Sequence, residues 1–141
     1  MTNIDVQRDI VAPTLWGEAR GEGLAGQIAV AWTIRNRVYD GRHNSWWGEG
    51  YAGVCLKPYQ YSCWSRNDPN YPYLSGAMPI PARELAQALE AARLVIAGVE
   101  PDPTGGATHY YASSMARPPA WANGAKQTLV LGGHLFFKEV P

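Results

Sequence analysis

Between Leu24 and Val38 the apolar residues Leu24, Ile28, Ala31, Trp32 and Val38 recur at helical spacing, with Arg35 and Arg37 on the polar positions. The spacing predicts a buried helix. Upstream, Asp5 to Arg20 also reads as helical with Ile10, Val11 and Leu15 inward, but Pro13 lacks an amide N–H and clashes with the preceding turn. A kink at Pro13, or a fresh helix starting there, is expected. A third helix begins near Pro81, a residue favoured at the first helical position, and carries Leu85, Leu89, Ala92, Ile96 and Val99 on one stripe, with Gly98 and Pro101 as stop signals.

Residues 40–79 lack a long periodic pattern and are rich in Gly, Pro, Asn, Tyr and Trp, with one helical turn expected around Ala52 to Leu56. Linkers seldom carry so many aromatics, so this stretch reads as a functional loop region. Thr108 to Ala112 and Leu129 to Lys138 are short apolar-aromatic runs that read as strands, the second turning at Gly132-Gly133. The expected fold class is α+β, mostly α-helical, with a small β element near the end. At 141 residues the chain has the size of one domain, spanning 1–141.

Charge narrows the partners: twelve Lys+Arg balance twelve Asp+Glu, which leaves no electrostatic footprint for nucleic acid or an anionic membrane. Eight Tyr and six Trp against two Phe give many rings a polar handle, as sugar-binding clefts use, although a small core employs the same residues. No apolar run is long enough to span a bilayer, so no membrane insertion is expected. The N-terminus MTNIDVQRDIVAP lacks a basic segment followed by an apolar one, so synthesis in the cytoplasm without an export signal is expected. Cys55 and Cys63 form no C-x-x-C pair and are expected to be reduced, with a single local bridge left open. A monomer is expected.

The stretch "WGEARGEGLAG", residues 16–26, carries two conflicting signals. Gly21, Gly23 and Gly26 make a literal G-x-G-x-x-G, the phosphate cradle of a dinucleotide fold; yet that cradle needs a preceding strand, and here the preceding residues are helix-like. Glu18 and Glu22 would also set negative charge beside a negative ligand. The glycines are better read as ending one helix and letting the next pack close behind Glu18. Were 18–22 helical, the two glutamates would lie one turn apart on one face, where burial and like charge raise the pKa of one and make it a general acid. His43, His109 and His134 are scattered without metal-binding spacing, so no metal is expected, and no cofactor. A zinc amidase, a peptidase pairing Cys63 with His109 or His134, and a non-catalytic glycan-binding module stay open as alternatives.

Five segments in order, "LWGEARGEG", "GQIAVAWTIRNRV", "VCLKPYQYSCW", "DPTGGATHYYA" and "LVLGGHLFF", resemble the SleB-type cell-wall hydrolase family, which includes spore-cortex-lytic enzymes and related phage lysins. The resemblance covers most of the chain. It implies a lysozyme-like, goose-type transglycosylase fold acting on peptidoglycan glycan strands, at the β-1,4 bond between N-acetylmuramic acid and N-acetylglucosamine. Glu18, the first acid of the G-E-A-R-G-E motif, carries over as the catalyst, and Glu22 as a supporting acid. The implied chemistry is lytic transglycosylation yielding a 1,6-anhydro sugar; a hydrolytic muramidase would need a second carboxylate, for which Glu22, Glu49 and Asp68 are candidates. "PYQYSCW" resembles the family's P-x-Q-F-S segment, with Tyr61 in place of Phe. It implies that Gln60 and Ser62 hydrogen-bond the sugar while Tyr61 and Trp64 offer flat faces. Tyr110 or Tyr111 is expected to point its hydroxyl at Glu18, although Ala112 and Ser113 stand where the family often has Asn. As a lysin, the protein would act on the wall after release from the cytoplasm, for example through a holin pore.

Overall fold

A computed structural model describes residues 3–40 and 46–141. Three helices form the frame: α1 (Asn3–Ala19), α2 (Gly23–Val38) and α5 (Ala82–Ile96), with the short α3 (Gly50–Leu56) and α4 (Tyr71–Leu74) between them. α5 packs against both α1 and α2. Its buried face is built largely from alanines, Ala88, Ala91 and Ala92, with Val95 and Ile96 at the end. Small side chains let helix backbones approach closely, so the core is thin here and dense. Leu85 and Leu89 of the expected stripe are half-buried against this core, and Val99 lies past the helix end, exposed.

α1 runs through Pro13 as one helix, so no fresh helix starts there. One missing N–H is tolerated because the flanking residues Val11, Ala12, Leu15 and Trp16 are all buried. α2 is the buried helix the spacing predicts, but its first apolar residue, Leu24, is exposed, and Gln27 and Thr33 share the interior with Ile28, Val30 and Ile34. Gln27 donates from Nε2 to the carbonyl of Ala19 at 3.3 Å, satisfying an orphan acceptor at the end of α1. Arg35 does the same for α5, donating to Val95 O and Ile96 O at 3.0 and 3.1 Å, where its charge also suits the helix dipole.

The sheet has three antiparallel strands, β1 (His109–Ala112), β2 (Lys126–Leu131) and β3 (His134–Lys138), in the order β1-β3-β2. Leu131 pairs with His134 across the expected Gly132-Gly133 turn, and Gly132 adopts φ 56°, open to glycine at little cost. Before β1, Asp102 organises the 101–107 loop by accepting from Thr104 N, Thr104 Oγ1, Gly106 N and Asn36 Nδ2. Asn36 also donates to Ala107 O at 2.9 Å, so α2 fixes the entry to β1. The fold is thus α+β with helices dominant, as expected from the sequence.

Candidate active site

Glu18 sits in the last turn of α1, half-buried. Its Oε1 accepts a hydrogen bond from the Tyr110 hydroxyl, and its Oε2 lies 3.3 Å from the backbone N of Cys63. The Tyr110 pKa is raised well above the usual phenol range, first by burial and then by the charge of Glu18, so it remains a donor. Three separate parts of the chain therefore meet at one carboxyl: the end of α1, the turn at 62–64 and β1. Close approach of the first two depends on Gly17, because a Cβ there would fall 2.6 Å from Cys63 Cβ and 2.9 Å from its Sγ.

A cleft of about 290 Å³ opens over Glu18. Arg37, Gln60, Tyr59 and Tyr61 line it together with Trp47, His109, Tyr110 and Trp121. Among the described residues lining it, Glu18 is the only carboxylate. The ring of Trp47 meets His109 edge-on at 5.4 Å, and His109 lies 4.8 Å from Trp121, giving a continuous aromatic wall. Two further grooves adjoin the cleft, one sharing Tyr59 and Tyr61 with it and the other sharing Trp47, Gln60, His109 and Trp121.

The residues singled out from sequence separate into distinct places. Gln60 lines the cleft, but its Nε2 donates to Trp47 O at 2.9 Å and Val54 O at 2.7 Å, which ties the loop bearing Trp47 to α3. Tyr61 is 3 % exposed, with its hydroxyl 3.3 Å from Thr33 Oγ1 and its pKa pushed up to about 12 by burial. It forms a wall of the cleft more than a free face. Ser62 is exposed and does not line the cleft, and Trp64 lines the adjoining groove while donating to Thr14 Oγ1 at 2.8 Å. Of the two tyrosines in β1, Tyr110 reaches Glu18, whereas Tyr111 stacks on Phe137 at 5.4 Å and backs Trp121. Strand alternation sends neighbours to opposite faces.

Glu22 departs from the one-face arrangement. α1 ends at Ala19, a 3₁₀ turn covers 20–22, and Glu22 Oε1 accepts from Gly133 N at 2.7 Å with His134 Nδ1 at 3.7 Å. It clamps the β2–β3 turn to the start of α2. The G-x-G-x-x-G match resolves accordingly: Gly23 has φ 73°, and Gly26 leaves room for the Glu22 side chain, while a Cβ at Gly21 would meet open space. A helix and not a strand precedes the motif, so the phosphate-cradle geometry is absent.

Cys63 is 1 % exposed and its thiol pKa is pushed far up, first by burial and then by Glu18, so it holds no nucleophilic thiolate at neutral pH. Cys55 and Cys63 are both free and buried. Among the described residues no group of three His, Cys, Asp or Glu is placed to hold a metal; His43 lies outside them. Asp68 accepts from Asn70 N at 2.8 Å, and Glu49 is exposed ahead of α3; neither lines the cleft. No described helix is long and apolar enough to cross a membrane.

Sequence reading missed Arg37, Trp47, Tyr59, His109 and Trp121 as cleft residues. Arg37 carried the one usable signal, a cation on an otherwise buried helix, but its spacing looked like that of a solvated face. The rest lie on loops, a 3₁₀ turn or a short strand, where nothing local marks which side chains converge.

Comparison with known proteins bears on the fold and the family. A family profile described as Cell Wall Hydrolase matches residues 21–137, beginning just after Glu18. The spore cortex-lytic enzyme of Halalkalibacterium halodurans is 29% identical over 133 residues, 94% of this chain and 34% of that protein, so the chain spans about a third of its length. Among solved structures, the catalytic domain of the germination-specific lytic transglycosylase SleB from Bacillus anthracis superposes with a TM-score of 0.65 at 27% identity, covering 98% of this chain and 97% of that one. The catalytic domain of the Bacillus cereus SleB protein gives 0.65 at 25% identity, covering 95% and 91%. With a family match over most of its length and a fold shared with both catalytic domains nearly end to end, this chain belongs to the cell wall hydrolase family.

Proposed function

We propose that this chain is a peptidoglycan glycosidase that cleaves the β-1,4 bond between N-acetylmuramic acid and N-acetylglucosamine by lytic transglycosylation, with Glu18 as acid and then base. The observation that carries the reading is the solitary carboxyl: Glu18 stands without a second acid among the described residues lining its cleft. Hydrolysis through a nucleophile or an activated water needs a partner carboxylate about 5 or 6.5–9.5 Å away. A transglycosylase needs none.

In this reading Oε1 is held by the Tyr110 hydroxyl, and Oε2, beside Cys63, carries the proton. Glu18 gives it to the glycosidic oxygen as the bond to C1 breaks through an oxocarbenium-like state. The carboxylate then takes the proton of the muramic acid 6-hydroxyl as O6 bonds to C1, closing the anhydro ring. The grooves that adjoin the cleft suit a substrate that extends beyond it, as a glycan strand does. The spore cortex-lytic and SleB relatives support the substrate class.

Mass spectrometry of digested sacculi is the test: 1,6-anhydro muropeptides are expected, whereas reducing muramic acid ends would make the protein a muramidase and free stem peptides an amidase. Glu18→Gln should lose about 10²–10⁴-fold in rate while retaining glycan binding. Full activity in that variant would remove Glu18 from the chemistry.

A further inference from the structure

Arg37 is a charged group of the cleft for which the reaction above has no use. Its Nε donates to Thr108 O at 2.7 Å, and its guanidinium lies over the rings of Trp47 at 4.6 Å and Tyr61 at 5.3 Å. One edge and the ring contacts fix the plane of the group. Among the described residues neither Nη donates a hydrogen bond and no carboxylate forms an ion pair with Arg37. Glu18, which lines the same cleft, directs its oxygens to Tyr110 and Cys63 instead.

A guanidinium so held is a preorganised fork for two parallel N–H···O bonds to a planar anion, and little side-chain freedom is left to lose on binding. A glycan strand offers few groups of that kind. Sugar hydroxyls and N-acetyl amides are neutral, but the D-lactyl ether on O3 of muramic acid ends in a carboxyl. That carboxyl is an anion when unsubstituted and a neutral amide once a stem peptide is attached.

The geometry points to Arg37 as the recognition residue for the lactyl carboxylate of a muramic acid seated in the Glu18 cleft, which makes peptide-stripped glycan the favoured substrate. The inference rests on the glycosidase reading. It adds a substrate preference that the single-acid reaction does not require.

The experiment compares three forms of one glycan preparation: stripped of peptides by an amidase, stripped and then capped as the lactyl methylamide, and intact with stem peptides. The wild-type protein is expected to show kcat/KM at least about tenfold higher on the free carboxylate than on the methylamide, the ratio for one charge-assisted hydrogen-bonded pair. Intact glycan should fall below the stripped form. Arg37→Gln should bring the free-to-capped ratio close to one, and Arg37→Lys should restore part of it.

Equal wild-type rates on free and capped glycan would overturn the inference without any variant, as would a preference for intact glycan, which would place the recognised anion in the peptide. Arg37→Gln lowering both rates by the same factor would make Arg37 a structural prop for Thr108 and the aromatic wall. No cleavage of any form would bring down the glycosidase reading itself, whereas equal cleavage of all three leaves that reading standing and removes only the role of Arg37.

Discussion

The carboxyl of Glu18 owes its setting to a residue with no side chain. Gly17 lets Cys63 come so close that an added methyl would overlap both Cys63 Cβ and Sγ, and Leu74 Cδ1 stands 3.4 Å away behind them. Backbone on neither side yields easily, since Gly17 is inside α1 and Cys63 sits in a tight 3₁₀ turn. Gly17→Ala should therefore cost about 1–3 kcal/mol in stability, as overpacking does, and lower activity by displacing the Cys63 amide from Glu18. The second-site variant Cys63→Gly removes the atom that is struck and should recover most of both losses. Urea unfolding and lytic assays on the two single variants and the double variant measure the coupling; additive losses would mean that the two residues do not press on one another. Spacing left Glu18 and Glu22 as two candidate acids beside the glycines, and it was the family resemblance that singled out Glu18 and pointed to Tyr110 or Tyr111 as its partner. The need for Gly17 was not legible, because the residue it makes room for is far along the chain.

At the level of elements, periodicity located α2 and α5, the strand runs and the hairpin turn, since each is written in spacing of side chains or in glycine punctuation. It allowed a fresh helix at Pro13, where α1 instead continues, and it failed at Glu22, where the helix stopped short and the acid turned to another partner. That partner is the β2–β3 turn, and His134 beside it adds a pH dependence. Burial lowers the His134 pKa from 6.5, and the charges of Glu22 and then Glu18 oppose that only in part. A depressed folded-state value means that the unfolded chain binds the proton more readily. The contribution is thus fully present above about pH 6.5 and is lost as pH falls toward the lowered value. His134→Gln should remove this acid-side decline. Unfolding midpoints at several pH values between 7.5 and 5 would check it, as the wild-type curve should fall relative to the variant below about pH 6.5. A constant difference across the range would show that His134 does not titrate differently on folding.

Across the whole molecule the excess of Tyr and Trp proves to be divided. Trp47, Tyr59 and Trp121 line the cleft, Trp16 and Tyr51 are buried, and Tyr61 is buried behind the cleft wall it forms. Composition alone has no means of separating these uses, because a ring with a polar edge serves a sugar and a core equally well. The division leaves a set of weak acids inside the protein. Burial pushes Cys55, Tyr51 and Tyr61 up to about 12 and raises Cys63 and Tyr110 as well. All five are neutral in the folded state at pH 9, where an unfolded thiol with a pKa of 9.0 is already half ionised. For an acid raised on folding, stability is complete below the unfolded pKa and declines as pH climbs toward the folded one. The protein should therefore weaken from about pH 9 upward, by roughly 1.4 kcal/mol per pH unit for each thiol once it is well past its unfolded pKa, with the tyrosines adding their share above pH 10. The Cys55→Ala/Cys63→Ala variant starts less stable because of the cavities it creates, yet its curve between pH 9 and 10 should be flatter than that of the wild type. In the same pH range both wild-type thiols should resist a disulfide-exchange reagent until denaturant is added. Rapid labelling of the folded protein, or parallel curves for the two proteins, would show that the thiols are not held neutral by the packed interior.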